Sequence, residues 1–328
     1  MPSRVDNSNN NDNNGSTPPA PKPTTARLSH LLDDPIYQKE IPYEIWADDV
    51  GGDVERTNVR LNIVPDCPLT DARSLNEDDR PKLETCGFQW FRQDFPYETG
   101  LRGADDVRTD TQEHRDTLDR YLTTMSDFLC EKIGCEKVVC WDWRVRRSKM
   151  TVPRTRPNIY SLENVDASDL RATKINSSHI IHADGSPEWI QKVISKVITQ
   201  EELEWANQGN YRTRVFTVWR PLVDVVQTDP LVCCDVRTVE DTDLDIVQKV
   251  MDDTVEESMY LKRREGHQWY WMSDQTRDDV IVMTVWDSRR PFSRSSAVPH
   301  CAMVLPEHAP DAKPRESIEL RFIAWNAE

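Results

Sequence analysis

His182 and Asp184 stand two residues apart in the stretch HIIHADGSPEW at 179–189, and together they are of types that could hold a metal ion. An imidazole nitrogen and a carboxylate oxygen suit a divalent cation, and side chains two apart on an extended segment point to the same side. The plainer reading is a polar turn between a strand and a helix. The chain carries its own control in HRD at 114–116, which has the same spacing. That pair falls in a helical pattern, where residues two apart project about 200° from each other and cannot share an ion.

A site with three protein ligands needs one more donor, and three histidines lie downstream. His267 sits at a loop-to-strand junction in RREGHQWYW, and His308 lies in the proline-rich LPEHAPDAKPRE. His300 opens the apolar run HCAMVL after a proline. What favours His300 is the R-x-S of Arg315 and Ser317 further on, at the start of another strand-like run. Arginine and serine on one strand face can clamp a carboxylate, the guanidinium through two hydrogen bonds and the hydroxyl through one. A zinc hydrolase could use the same three ligands but would not need R-x-S, and a non-catalytic barrel that binds a small molecule would need neither.

The elements that must position these groups are legible in outline. TQEHRDTLDRYLTTMSDFLCEKIG (111–134) repeats apolar residues at three- and four-residue spacing, which predicts an amphipathic helix capped by Gly134. A second helix is expected over 187–207, with Ser186 as N-cap, Pro187 in the first turn, and Trp189, Val193, Val197 and Leu203 inward. Short aromatic and β-branched runs at 214–222, 230–238, 268–273, 279–288, 300–305 and 317–325 read as strands. The class is mainly β with flanking helices, a sandwich or barrel. Residues 1–26, rich in Asn, Ser and Pro, read as a disordered tail, and 27–328 as one domain.

Composition excludes several classes. With 57 acids against 41 bases the net charge is −16, which disfavours nucleic acid. No apolar run reaches membrane-spanning length and no signal peptide opens the chain, so a cytoplasmic protein is expected. The eight cysteines lack a paired C-x-x-C and read as reduced, buried thiols. The number of copies that assemble is not legible.

Taken together, VVCWDWRVRRS, VFTVWRPLVDVVQTDPLVCCDVRTV, WYWMSDQTRDDVIVMTVWDS and KPRESIELRFIAW resemble the fungal AsaB-type hydroxylase/desaturase family of Fe(II)/2-oxoglutarate-dependent oxygenases, from about residue 40 to the C-terminus. The resemblance implies a double-stranded β-helix, or jelly-roll. It implies His182, Asp184 and His300 as iron ligands, with Arg315 and Ser317 on the tail carboxylate of 2-oxoglutarate. It also implies O2 as cosubstrate, ascorbate as a helper, and a small organic substrate of secondary metabolism oxidised at an unactivated C–H bond. A branched amino acid such as valine or isoleucine is one candidate, since the family includes an aziridine-forming amino-acid oxygenase; hydroxylation and desaturation are the other outcomes. Departures from the family pattern are TRDD before the WDS strand and HCAM around His300, neither at a proposed ligand.

For the substrate, Arg146 in WRVRRS is either an exposed basic strand residue or the receiver of a carboxylate. Trp219 and Arg220 in VWRPL are either packing residues or pocket wall. Ile323 and Trp325 share a strand face with Ser317 and Arg321, and so either line the pocket or fill the core.

Overall fold

The computed structural model describes residues 23–47, 53–96, 112–147, 174–175, 178–208, 211–252, 254–305 and 312–327. Fifteen strands lie within them: β1 (Thr25–Leu31), β2 (Tyr43–Ile45), β3 (Leu61–Asp71), β4 (Phe88–Arg92), β5 (Lys137–Arg147), β6 (Lys174–Ile175), β7 (His182–Ala183), β8 (Tyr211–Pro221), β9 (Leu231–Cys234), β10 (Leu244–Val250), β11 (Val255–Leu261), β12 (Trp269–Trp271), β13 (Asp279–Asp287), β14 (His300–Ala302) and β15 (Glu316–Ala327). The α-helices are α1 (Leu83–Cys86), α2 (Gln112–Ile133), α3 (Pro187–Val197) and α4 (Gln200–Gln208).

Two sheets form the body. One has the order β1-β3-β12-β9-β14-β7-β11-β10-β2, and the other β4-β13-β8-β15-β5-β6. The six-stranded sheet buries apolar residues on both faces, and its inner face also carries the charged residues of β5 and β15. Its outer face, Trp143, Val145, Phe216, Val218, Val282, Ile318, Leu320 and Phe322, packs under Tyr121, Met125, Phe128 and Leu129 of α2. Its inner face meets the other sheet, with Trp219, Ile281 and Met283 against Leu231 and Cys233. Alternate residues of the nine-stranded sheet, among them Ile181, Val232, Cys234 and Cys301, collect in a further core. The strand period of two thus sorts each side chain to a layer, giving the double-stranded β-helix.

The expected elements hold in type, with corrections. The helix expected over 187–207 is two helices, broken at Ile198, where the backbone turns extended. The break has a cause in TQEE: the Glu202 amide donates to Thr199 Oγ1 at 3.2 Å and the Thr199 amide to Glu202 Oε2 at 2.8 Å, a reciprocal cap that starts a new helix. Leu203, expected inward, is 38% exposed as a result. The first strand begins at Thr25, inside the stretch read as tail, and the rest of that tail, residues 1–22, lies outside the described residues. Six cysteines are buried free thiols as expected, but Cys130 and Cys135 form a disulfide across the end of α2. The five-residue separation brings the two together because Gly134, at φ 63°, reverses the chain between them.

Candidate metal centre

β7 and β14 are neighbours in the nine-stranded sheet, and their register places His300 directly opposite His182. The two rings lie 4.5 Å apart between centroids, tilted by 50°. Each Nδ1 faces a backbone carbonyl two residues back, His182 that of Ile180 at 2.8 Å and His300 that of Val298 at 3.0 Å. A carbonyl only accepts, so Nδ1 carries the proton and Nε2 keeps its lone pair for the interior. Burial, followed by the adjacent His300, drives the His182 pKa down to about 3, so the ring is neutral at physiological pH.

Asp184 follows β7 at the turn into α3. Gly185 takes φ 91°, and Ser186 caps the helix by accepting from the Trp189 amide at 3.0 Å. Thr217 of β8 donates to Asp184 Oδ2 at 2.8 Å, and Arg321 of β15 donates to Oδ1 at 3.3 Å. Burial would raise the pKa of this carboxyl, but Arg321, the two imidazoles and the Thr217 hydroxyl together hold it well below the usual range. Among the described residues, His182, Asp184 and His300 form the one group of three potential ligands, each offering an atom within 4.8 Å of the others. Two imidazoles and one carboxylate on one side of an ion is the donor set of a facial site with open positions, and the residues fit such a metal.

Arg315 and Ser317 lead into the same interior. The Arg315 guanidinium is 2% exposed, lies 5.4 Å over the Trp219 ring and donates to the Asp229 carbonyl. Burial, then the charge of Arg146, lowers its pKa to about 10, which leaves it cationic at neutral pH. The Ser317 hydroxyl is fully buried with no hydrogen-bond partner, an orphaned polar atom of the kind an incoming carboxylate satisfies.

The other candidates are placed as follows. His267 is bound to Asp243 at 3.1 Å and is not part of the cluster. His308 lies outside the described residues. His114 lies on α2, and Asp116 there accepts from Gln112 at 2.8 Å on an exposed face. Trp219 faces the interior. Arg220, one residue on, points to the opposite face of the sheet, against Phe95 and Tyr121, and is bound to Gln93 and Arg277; this corrects its reading as pocket wall. Arg146 does face inward, but Glu319 holds it through two hydrogen bonds of 2.6 and 2.9 Å. Ile323 and Trp325 do share the inner face, where both are fully buried with Trp141, Ile190 and Val193, as core. Sequence reasoning missed Thr217, Glu319, Arg321 and Asp142. For Glu319, Arg321 and Asp142 the signal was charge at alternate positions of two strands, ESIELR and WDWRVR; Thr217, on β8, carried no such signal.

Fold and site together define a jelly-roll whose interior brings together three potential metal ligands. A family model described as an oxidoreductase/YMDC permease-like domain matches residues 33–325, and the chain belongs to that family. It is 25% identical over 225 residues to the alpha-ketoglutarate-dependent dioxygenase phiK of a fungal species, covering 68% of this chain and 75% of that protein. It is 33% identical over 147 residues to the Fe(II)/2-oxoglutarate-dependent dioxygenase nvfI of Aspergillus novofumigatus, covering 44% of this chain and 51% of that one. The solved structure of the iron and alpha-ketoglutarate-dependent endoperoxidase NvfI superimposes with a TM-score of 0.72 at 22% identity, over 92% of this chain and 98% of that chain. The AsaB-type resemblance read from the sequence stands.

Proposed function

We propose that this chain is an Fe(II)- and 2-oxoglutarate-dependent dioxygenase of fungal-type secondary metabolism, with His182, Asp184 and His300 as the iron ligands and Arg315 and Ser317 on the cosubstrate carboxylate. The observation that carries the reading is the convergence of the three ligand atoms within 4.8 Å, inside a barrel that also buries Arg315 and the unpartnered Ser317 hydroxyl. The relatives support the class: phiK and nvfI are named for this iron and cosubstrate chemistry. We take 27–328 as one oxygenase domain, consistent with a family match over 33–325.

Bound iron with 2-oxoglutarate and O2 supplies an oxidant able to remove hydrogen from an unactivated C–H bond, with succinate and CO2 as coproducts. The chain's own residues do the rest. The Ile180 and Val298 carbonyls fix both imidazoles with Nε2 inward, and Thr217 and Arg321 fix the Asp184 carboxylate. Arg315 and Ser317 anchor one end of the cosubstrate, so that its reactive end is presented in a single orientation. Trp219, Leu231, Cys233 and Met283 wall the interior with apolar surface and exclude water.

The substrate is a small organic molecule. Valine or isoleucine, closed to an aziridine, hydroxylated or desaturated, is the finer reading. The described interior favours a molecule without a free carboxylate instead, because Arg146 is engaged by Glu319 and Arg220 faces the other way. Succinate release measured across a panel of branched amino acids and neutral terpenoid or polyketide compounds tests both levels. Turnover dependent on Fe(II) and 2-oxoglutarate with a neutral compound is the expected result. Stimulation by amino acids alone would reverse the substrate preference, and hydrolysis without succinate would remove the class.

A further inference from the structure

The interior faces of β15 and β5 carry an alternating ladder of charge. On β15 it is Glu319 and Arg321, and on β5 it is Asp142, Arg144 and Arg146, brought into register with Arg321 opposite Asp142. A bulge at Trp141 makes this possible: Phe322 pairs with Cys140, so the pairing skips a residue, and Trp141 enters the apolar core while Asp142 still meets Arg321. Arg321 stands at the centre. One guanidinium nitrogen donates to Asp142 Oδ2, and another reaches both Glu319 Oε1 at 3.1 Å and Asp184 Oδ1 at 3.3 Å. Asp142 is held in turn by Arg144 at 2.9 Å, and Glu319 by Arg146 at 2.6 Å. Arg321 is 6% exposed, Glu319 4% and Asp142 1%.

Two physical consequences follow. Asp184 is gripped through both oxygens, Thr217 donating to Oδ2 and Arg321 to Oδ1, so removing Arg321 frees one end of the carboxylate and takes away the guanidinium paired with it. Arg321 cannot swing away to let another group take its place, because Asp142 and Glu319 grip a guanidinium whose donors form a rigid fork. We propose that Arg321 is the positioning residue of the metal site: it is the built-in counter-cation that pairs with the Asp184 carboxylate and aims it before any metal arrives. This rests on the reading of His182, Asp184 and His300 as metal ligands. With Arg321 in place the apo-site is preformed; without it, a bound dication becomes the main compensation for Asp184, and stability becomes metal-dependent.

The test compares wild type, Arg321→Met and Arg321→Lys, each with a chelator and with saturating Mn(II) as an air-stable probe of the Fe(II) site. Melting temperature and Mn(II) binding by calorimetry are read, neither of which requires turnover. Arg321→Met is expected to melt roughly 10 °C below wild type in chelator, and Mn(II) is expected to raise it by more than it raises wild type. Arg321→Lys, which keeps the charge but not the fork, should fall between the two in both readings. A merely structural arginine would lower both melting temperatures equally and leave the metal-induced shift unchanged, and that result overturns the proposal. If Arg321→Met does not fold, Arg321→Lys decides, and overturns the proposal if its metal-induced shift equals that of wild type. Absence of Mn(II) binding by wild type itself would instead sink the metal reading, and this inference with it.

Discussion

At the scale of single residues, the site is a set of donors whose protons are already placed. His182 and His300 each give Nδ1–H to a carbonyl, so metal binding at neutral pH has no proton to displace from His182, whose pKa burial and His300 hold at about 3. Arg315 is the residue for which a single deletion should be most informative. Arg315→Ala is expected to cost roughly 2 to 5 kcal/mol of 2-oxoglutarate binding, thirtyfold or more in half-saturation. Ser317→Ala should cost roughly 1 kcal/mol, the worth of one neutral hydrogen bond. Unchanged half-saturation in Arg315→Ala would take the residue out of the cosubstrate site. The His182–Asp184 pair and R-x-S were readable as candidates because each obeys a local strand rule, two residues apart and on one face, and His300 was chosen only because R-x-S follows it. Arg321 was not readable, because its partner Asp184 lies 137 residues away and nothing local couples them. The pocket-wall alternative for Arg220 could have been set aside from sequence: in VFTVWRP, period two puts Thr217 and Trp219 inward and therefore Arg220 outward.

Elements position these residues through a few tight joints. Between Asp184 and α3 the joint is Gly185, where a Cβ would meet Trp189 Cε3 at 2.8 Å and Ile190 Cδ1 at 3.0 Å in a backbone at φ 91°. Gly185→Ala is expected to lose roughly 1 to 3 kcal/mol of stability and to weaken metal binding, because α3 and Asp184 cannot both keep their places. Wild-type metal affinity in a folded Gly185→Ala protein would show that the joint does not set the ligand. The far end of β15 is core: Trp325→Ala should cost roughly 3 to 5 kcal/mol by denaturant unfolding. An altered product profile at unchanged stability would return Trp325 to the pocket. Strands with continuous apolar runs, such as β13, could be read from sequence. β10 and β11 could not, since LDIVQKV and VEESMYL mix polar and apolar residues on both faces. The split between α3 and α4 was hidden because the apolar spacing continues across it while the Thr199 and Glu202 caps interrupt the backbone.

Across the whole molecule, several ion pairs are buried among the described residues, and His30 is an imidazole buried away from the metal cluster. His30 is 1% exposed, edge-on to Trp269, with Nδ1 unpartnered; burial, then the nearby His267, lowers its pKa to about 4. The unfolded chain takes up its proton near the ordinary value of 6.5, so His30 destabilises the fold progressively as pH falls from 6.5 towards 4 and has no such effect above 6.5. Between pH 7 and 4.5 the melting temperature should fall, and His30→Phe should flatten part of that fall; identical slopes would exclude His30. No helix among the described residues is long and apolar enough to cross a membrane. The central claim, that His182, Asp184 and His300 hold iron beside 2-oxoglutarate, is tested most directly by anaerobic titration of Fe(II) and 2-oxoglutarate, followed by visible absorption. Wild type and Asp116→Ala should develop the same weak charge-transfer band, while His182→Ala, Asp184→Ala and His300→Ala, still folded, should lose it. A band that survives all three triad substitutions, or is absent from folded wild type, contradicts the account.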